Sequence, residues 1–135
     1  MLAVIAMLAD RSLEQVRADA RKIVGKPRHR VSHSTYWETV DTLRRRYHVT
    51  GVPTNHEWHK HVRSGDKKIP RSSLKLTDRG SLVISCPASR NTHIVAYKHG
   101  RVYDPSVGEF ALSTWLKKYS HEHILSVHPE KRRKK

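Results

Sequence analysis

Cysteine occurs once in the 135 residues, at position 86. One thiol excludes an intrachain disulfide framework and a zinc site built from cysteines alone. Glycine and proline number six each and gather nowhere, so no linker divides the chain, and no internal repeat is visible. There is no Gly-rich phosphate loop, no Walker pattern and no paired-carboxylate motif. Acid is scarce as well: 12 Asp+Glu stand against 27 Lys+Arg, a formal charge of +15. The apolar opening, Met1 to Ala9, is about half the length a bilayer-spanning helix needs. It lacks the basic start of a signal peptide and runs straight into Asp10-Arg11, so it reads as a buried helix. These absences leave a single intracellular, cytoplasmic domain with no membrane contact and no cofactor. Its 36% hydrophobic residues suffice for an ordinary core.

Charge and periodicity carry the rest. Without Lys131, Arg132, Arg133, Lys134 and Lys135, a tail expected to be disordered, 22 cations still face 12 acids, a formal +10. Residues 1–130 therefore form the domain, with a basic insertion at about 54–77. Ser12-Leu-Glu-Gln15 has the form of a capping box. Leu13, Val16, Ala20, Ile23 and Val24 follow at helical spacing until Gly25 and Pro27. Thr35-Tyr-Trp-Glu38 is again box-like. It opens a helix with Trp37, Val40, Leu43 and Tyr47 on one face and Arg44, Arg45 and Arg46 opposite, ending before Gly51. The insertion is patternless apart from a short helix around Trp58. From Gly80 the period turns strand-like, with runs at Leu82–Cys86, His93–Tyr97, Arg101–Asp104 and His123–Val127. Leu112, Trp115, Leu116 and Tyr119 mark one more short helix. Helices first and a meandering antiparallel sheet afterwards predict an α+β fold, the N-terminal helices packed on a small sheet.

One pair of residues has the spacing of chemistry. With His99-Gly100 at a hairpin tip, position 98 faces 101, 95 faces 104 and 93 faces 106. His93 and Asp104 then share a face as diagonal neighbours, about 7–8 Å apart by Cα. A carboxylate there fixes the imidazole tautomer and stabilises its charged form, as a general base requires. The same spacing also suits a plain surface His–Asp pair.

Two stretches extend the reading. Leu2-Ala-Val-Ile-Ala-Met-Leu-Ala9 with Ser12-Leu-Glu-Gln-Val16 resembles the first helices of papain-like cysteine peptidases of the bacteriocin-processing, double-glycine peptidase type. Thr92-His-Ile-Val-Ala-Tyr97 and Gly100-Arg-Val-Tyr-Asp-Pro-Ser106 resemble that family's His strand and Asp strand, and Ser34-Thr-Tyr-Trp37 suits its helical half. The resemblance implies a papain-like fold and a Cys–His–Asp triad with His93 as base and Asp104 as its orienter. The nucleophile would sit at the start of the first helix, where the helix dipole and the imidazolium lower a thiol's pKa. By this alignment the family's cysteine falls immediately before Met1, or at Met1 with one deletion. Residues 1–135 carry neither that cysteine nor the upstream residue that helps form the oxyanion hole. Cys86, seven residues from His93, reads as a buried structural thiol. The preferred expectation is a pseudo-peptidase acting as a binding protein, which suits a mobile or phage genome. The alternative is an active peptidase whose cysteine lies upstream of Met1.

The partner expected is anionic: nucleic acid first, or another polyanionic or host protein surface. Arg44, Arg45, Arg46, Lys60, Arg63, Lys67, Lys68 and Arg71 are the candidate phosphate contacts, with Trp58 and Tyr47 near enough to stack on bases. A solvated basic face that aids solubility alone has the same composition. No helix-turn-helix or RNA-binding aromatic motif supports base-specific readout. His56-x-x-His59-x-His61 does not match a zinc spacing and reads as basic surface, as do His121 and His123, so no metal is expected.

Overall fold

A computed structural model describes residues 1–25, 33–64, 69–70, 74, 78–86, 91–105, 107–119 and 122–131, of which 33–34, 61–64, 86 and 91 by their backbone alone. The N-terminal part is helical: α1 (Leu2–Leu8), α2 (Leu13–Val24), α3 (His33–Arg46) and α4 (Asn55–Ser64). The remainder is β1 (Arg79–Cys86), β2 (Asn91–Lys98), β3 (Arg101–Asp104), β4 (Gly108–Ala111), α5 (Leu112–Lys118) and β5 (His123–Pro129). The five strands form one antiparallel sheet in the order β4-β3-β2-β1-β5. This is the α+β arrangement expected. No helix among the described residues is long and apolar enough to cross a membrane.

α1 is apolar nearly all round, and Val4, Ile5, Ala6 and Leu8 are buried. It ends in a left-handed residue, Asp10 (φ 55°), whose N–H donates to Met7 O while Arg11 N–H donates to Ala6 O. This Schellman pairing satisfies carbonyls that the helix leaves open. Ser12 caps α2 by accepting the Gln15 N–H at 3.1 Å. The return bond from the Gln15 side chain is not formed, so half of the expected box exists. α3 departs from expectation at its start. It begins at His33, which puts Thr35 and Glu38 inside the helix rather than at a cap; Thr35 O instead accepts the Thr39 hydroxyl at 2.8 Å. Its far end follows expectation. Trp37, Val40, Leu43 and Tyr47 are all 5% exposed or less, and His48 (φ 56°) closes a second Schellman motif with Val49 N–H on Arg44 O.

The short helix expected around Trp58 is present at the start of the basic insertion. Thr54 Oγ1 accepts the Glu57 N–H and Glu57 Oε1 accepts the Thr54 N–H, a complete capping box that starts the ten-residue α4. Residues 65–68, 71–73, 75–77 and the tail from 132 lie outside the described residues.

Two clusters of buried side chains sandwich the sheet. On one face α1, α2 and α3 pack with Ile94 and Ala96; on the other Trp115 of α5 packs with Leu82, Ile84, Val95, Tyr97, Val102 and Ile124. Helices thus cover both faces, whereas the sequence suggested an N-terminal layer on one. Gly80 sits where Tyr97 and His128 close in from both neighbouring strands. A Cβ there would lie 2.6 Å from the Tyr97 hydroxyl and closer still to the His128 carbonyl.

Candidate active site and basic cleft

The hairpin that carries His93 and Asp104 has the expected register. Lys98 pairs with Arg101, Tyr97 with Val102 and Ala96 with Tyr103; one further step sets Asp104 opposite Val95. Position 106 lies outside the described residues. The tip residues His99 and Gly100 have φ values of 49° and 77°, as a two-residue type I′ turn demands. His93 is the third residue of β2 and Asp104 the last of β3, so period-two alternation sends both side chains to one face. There they meet: His93 Nε2 is 2.8 Å from Asp104 Oδ1. An ionised carboxylate only accepts, so Nε2 carries the proton and donates it, leaving Nδ1 as the nitrogen open to a further partner. No described residue hydrogen-bonds to Nδ1. Asp104 is 7% exposed while the His93 side chain is 37% exposed, so the carboxylate is a fixed support and the ring faces solvent-accessible space. Tyr119, the C-cap of α5, lies on the same side. Burial, with the charges of Asp104 and Glu122 adding to it, pushes its phenol above the ordinary range.

The space next to His93 is a cavity of about 250 Å³ whose walls include Met1, Trp37 and Trp58. The two indoles stand 6.1 Å apart, and the His59 ring is 6.1 Å from Trp37. Met1, the N-cap of α1, lines this cavity together with His93. Cys86 ends β1 opposite Asn91, two positions along from the Ile84↔His93 pair. The ladder therefore brings its backbone nearer to His93 than seven residues of sequence suggested.

The expected basic stripe is described only in part. Arg44 is half-buried, 3.7 Å from Asp41. Arg45 and Arg46 are exposed at the end of α3, and Lys60 is exposed on α4. The side chain of Arg63, and Lys67, Lys68 and Arg71 altogether, lie outside the described residues. Trp58 and Tyr47, the expected stacking residues, are packed inward, Trp58 against the α1–α3 cluster and Tyr47 within it.

A different set of cations does converge. At the far end of α1 a polar cleft of about 400 Å³ is bordered by Arg11, His48, Arg79 and Lys131, with Asp10 and Glu130 among its acids. Arg79 donates to Asp10 at 2.9 Å, and its guanidinium holds the Asp10 carboxyl below the usual carboxylate range. Arg11 lies over the Tyr47 ring, 4.4 Å from its centroid, and the Tyr47 hydroxyl donates to Asp19. Arg11, His48 and Arg79 come from separate segments, and only Lys131, the first residue of the C-terminal basic run, lies in a stretch whose local sequence is marked by charge. Among the described residues no three His, Cys, Asp or Glu converge to hold a metal ion.

Protein-family models, curated proteins and solved structures were compared with this chain, and none matches.

Proposed function

We propose that residues 1–135 form a papain-like domain in which His93 and Asp104 are the base and orienter of a thiol-peptidase site, and that by themselves these residues bind rather than cleave. One observation carries this reading. The His93–Asp104 bond uses Nε2, rests on a buried carboxylate and leaves Nδ1 without a hydrogen-bond partner among the described residues, and His93 lines one cavity with Met1. Such a dyad has a defined chemistry once a thiol stands next to it. Nδ1 takes the thiol proton, and the thiolate attacks the carbonyl carbon of a peptide bond. The imidazolium, stabilised by Asp104, then returns the proton to the departing amine, and water later hydrolyses the thioester. Residues 1–135 supply the base but no thiol at the Met1 position, so the first of these steps does not occur.

A second reading, an active peptidase with its cysteine immediately ahead of Met1, is favoured by the shared cavity of Met1 and His93. The codon before Met1 decides it directly. The proposal itself is tested by preparing the chain as written and with Cys-Gly joined ahead of Met1, then treating both with a thiol-directed peptide aldehyde. The extended chain is expected to react at the added cysteine, and His93→Ala to abolish the reaction. Equal reaction of the His93→Ala protein would remove the peptidase-like assignment. His93-dependent reaction at Cys86 in the chain as written would remove the claim that it only binds.

A further inference from the structure

The basic cleft lies away from the His93 cavity. His93 is near the start of β2 and Lys98, 3.9 Å from Asp10, is at its end, so about 16 Å of strand separates the two regions. The acids of the cleft are already engaged within the protein. Glu130 accepts the Thr50 N–H, at 2.9 and 3.0 Å to its two oxygens, and the Gly51 N–H; Asp10 accepts Arg79. Arg11 and Lys131, by contrast, have no carboxylate within 4.0 Å among the described residues, and exposed Arg46 beside Tyr47 has none either. The Tyr47 ring holds the Arg11 guanidinium from one side, so less side-chain freedom is lost when its N–H groups meet an anion. Lys131 is fixed at the rim by its N–H on Thr50 Oγ1 at 2.8 Å, and the next four residues in sequence, Arg132-Arg133-Lys134-Lys135, are all basic.

We infer that this cleft seats the phosphate backbone of a nucleic acid, with Arg11 and Lys131 as its principal phosphate contacts. The inference names the partner for the binding half of the function proposed above and rests on that half alone. Two free cations at a preformed rim, followed by an unbroken basic run, suit a polymer of regularly spaced phosphates better than one small anion. Guanidinium and ammonium groups supply only donors, which phosphate oxygens match. No exposed Trp, Tyr or Phe lines the cleft, since Tyr47 is 5% exposed and covered by Arg11. The contacts are therefore to backbone rather than to bases, and affinity is independent of nucleotide sequence.

The test is fluorescence anisotropy of the full chain with a mixed-sequence duplex of about 20 base pairs, titrated between about 50 and 200 mM NaCl. Binding that weakens steeply with salt is expected. The double variant R11Q/K131Q is expected to bind at least about 10-fold more weakly, with the log–log salt slope reduced by about 2. A control with the same charge change on α5, K117Q/K118Q, is expected to stay within about 2-fold of the parent. Circular dichroism confirms that each variant is folded. Equal weakening in the control would mean diffuse charge and would overturn the cleft assignment, as would no binding at the lowest salt. Two competitors at matched ionic strength complete the test. Displacement by inorganic phosphate at millimolar concentration would make this a small-anion site, and displacement by polyglutamate as effective as by DNA would make it an acidic-protein site. Loss of duplex binding alongside an intact thiol-probe result would overturn this inference and leave the dyad assignment standing.

Discussion

His93 Nε2 and Asp104 Oδ1 meet at 2.8 Å although the ladder sets neither opposite the other. The diagonal is bridged because His93 reaches along the sheet face toward a carboxylate that the end of β3 holds buried. The buried partner is the acid, and the exposed partner is the ring that would move a proton.

That asymmetry predicts how the pair responds to mutation. In the chain carrying a cysteine ahead of Met1, Asp104→Ala is expected to slow reaction with the peptide aldehyde about 100-fold or more, because an unheld imidazole loses its orientation. Stopped-flow rates on protein whose thermal melt is still cooperative provide the measurement. An unchanged rate would make Asp104 a structural residue only.

Gly80 and Gly100 separate two kinds of glycine requirement. At Gly80 an added methyl meets the His128 carbonyl and the Tyr97 hydroxyl, so Gly80→Ala forces apart strands at the centre of the sheet. A loss of about 2–3 kcal/mol in urea unfolding is expected. At Gly100 nothing lies within 4 Å, and the obstacle is the φ of +77° alone. Gly100→Ala is expected to cost about 1–2 kcal/mol. Reversal of this order would contradict the packing described.

Tyr47 gives the fold a pH dependence at the alkaline end. Burial first, then the hydrogen bond to Asp19, pushes its phenol from 10.0 to about 12. The folded chain keeps this proton where the unfolded chain has lost it, so Tyr47's contribution is complete below pH 10 and disappears between 10 and about 12. Tyr47→Phe is expected to be about 1–2 kcal/mol less stable at pH 8. Its deficit should shrink as urea unfolding is followed from pH 9 to 12. A deficit that stays constant would show that Tyr47 does not titrate differently on unfolding.

Glu130 ties the end of β5 to the turn after α3 through the Thr50 and Gly51 N–H groups. Glu130→Ala leaves those donors without their acceptor and is expected to cost about 2–3 kcal/mol. Hydrogen exchange at the Thr50 and Gly51 amides should accelerate well beyond that at Val40. Gly51→Ala is expected to mimic the loss, since its Cβ would lie 2.8 Å from Glu130 Oε2.

What the sequence determined by itself is what short-range geometry encodes. A period of 3.6 named the buried faces of α2 and α3, and a period of two with His99-Gly100 between the runs set the hairpin register that joins His93 to Asp104. The Thr54–Glu57 capping box was also written there, hidden within a segment whose charge drew more notice than its cap. β4 left little local trace, because Gly108-Glu-Phe-Ala111 is a short edge strand with two exposed residues and no clear alternation. Of the basic cleft, only Lys131 stood in a visible basic run. Arg11, Arg79 and Lys131 are far apart along the chain, and they meet only because β5 pairs with β1, Asp10 holds Arg79, and Glu130 is fastened to Gly51. Local propensity acts over a few residues; a charged cleft is a property of long-range packing, and only the tertiary structure could bring its members together.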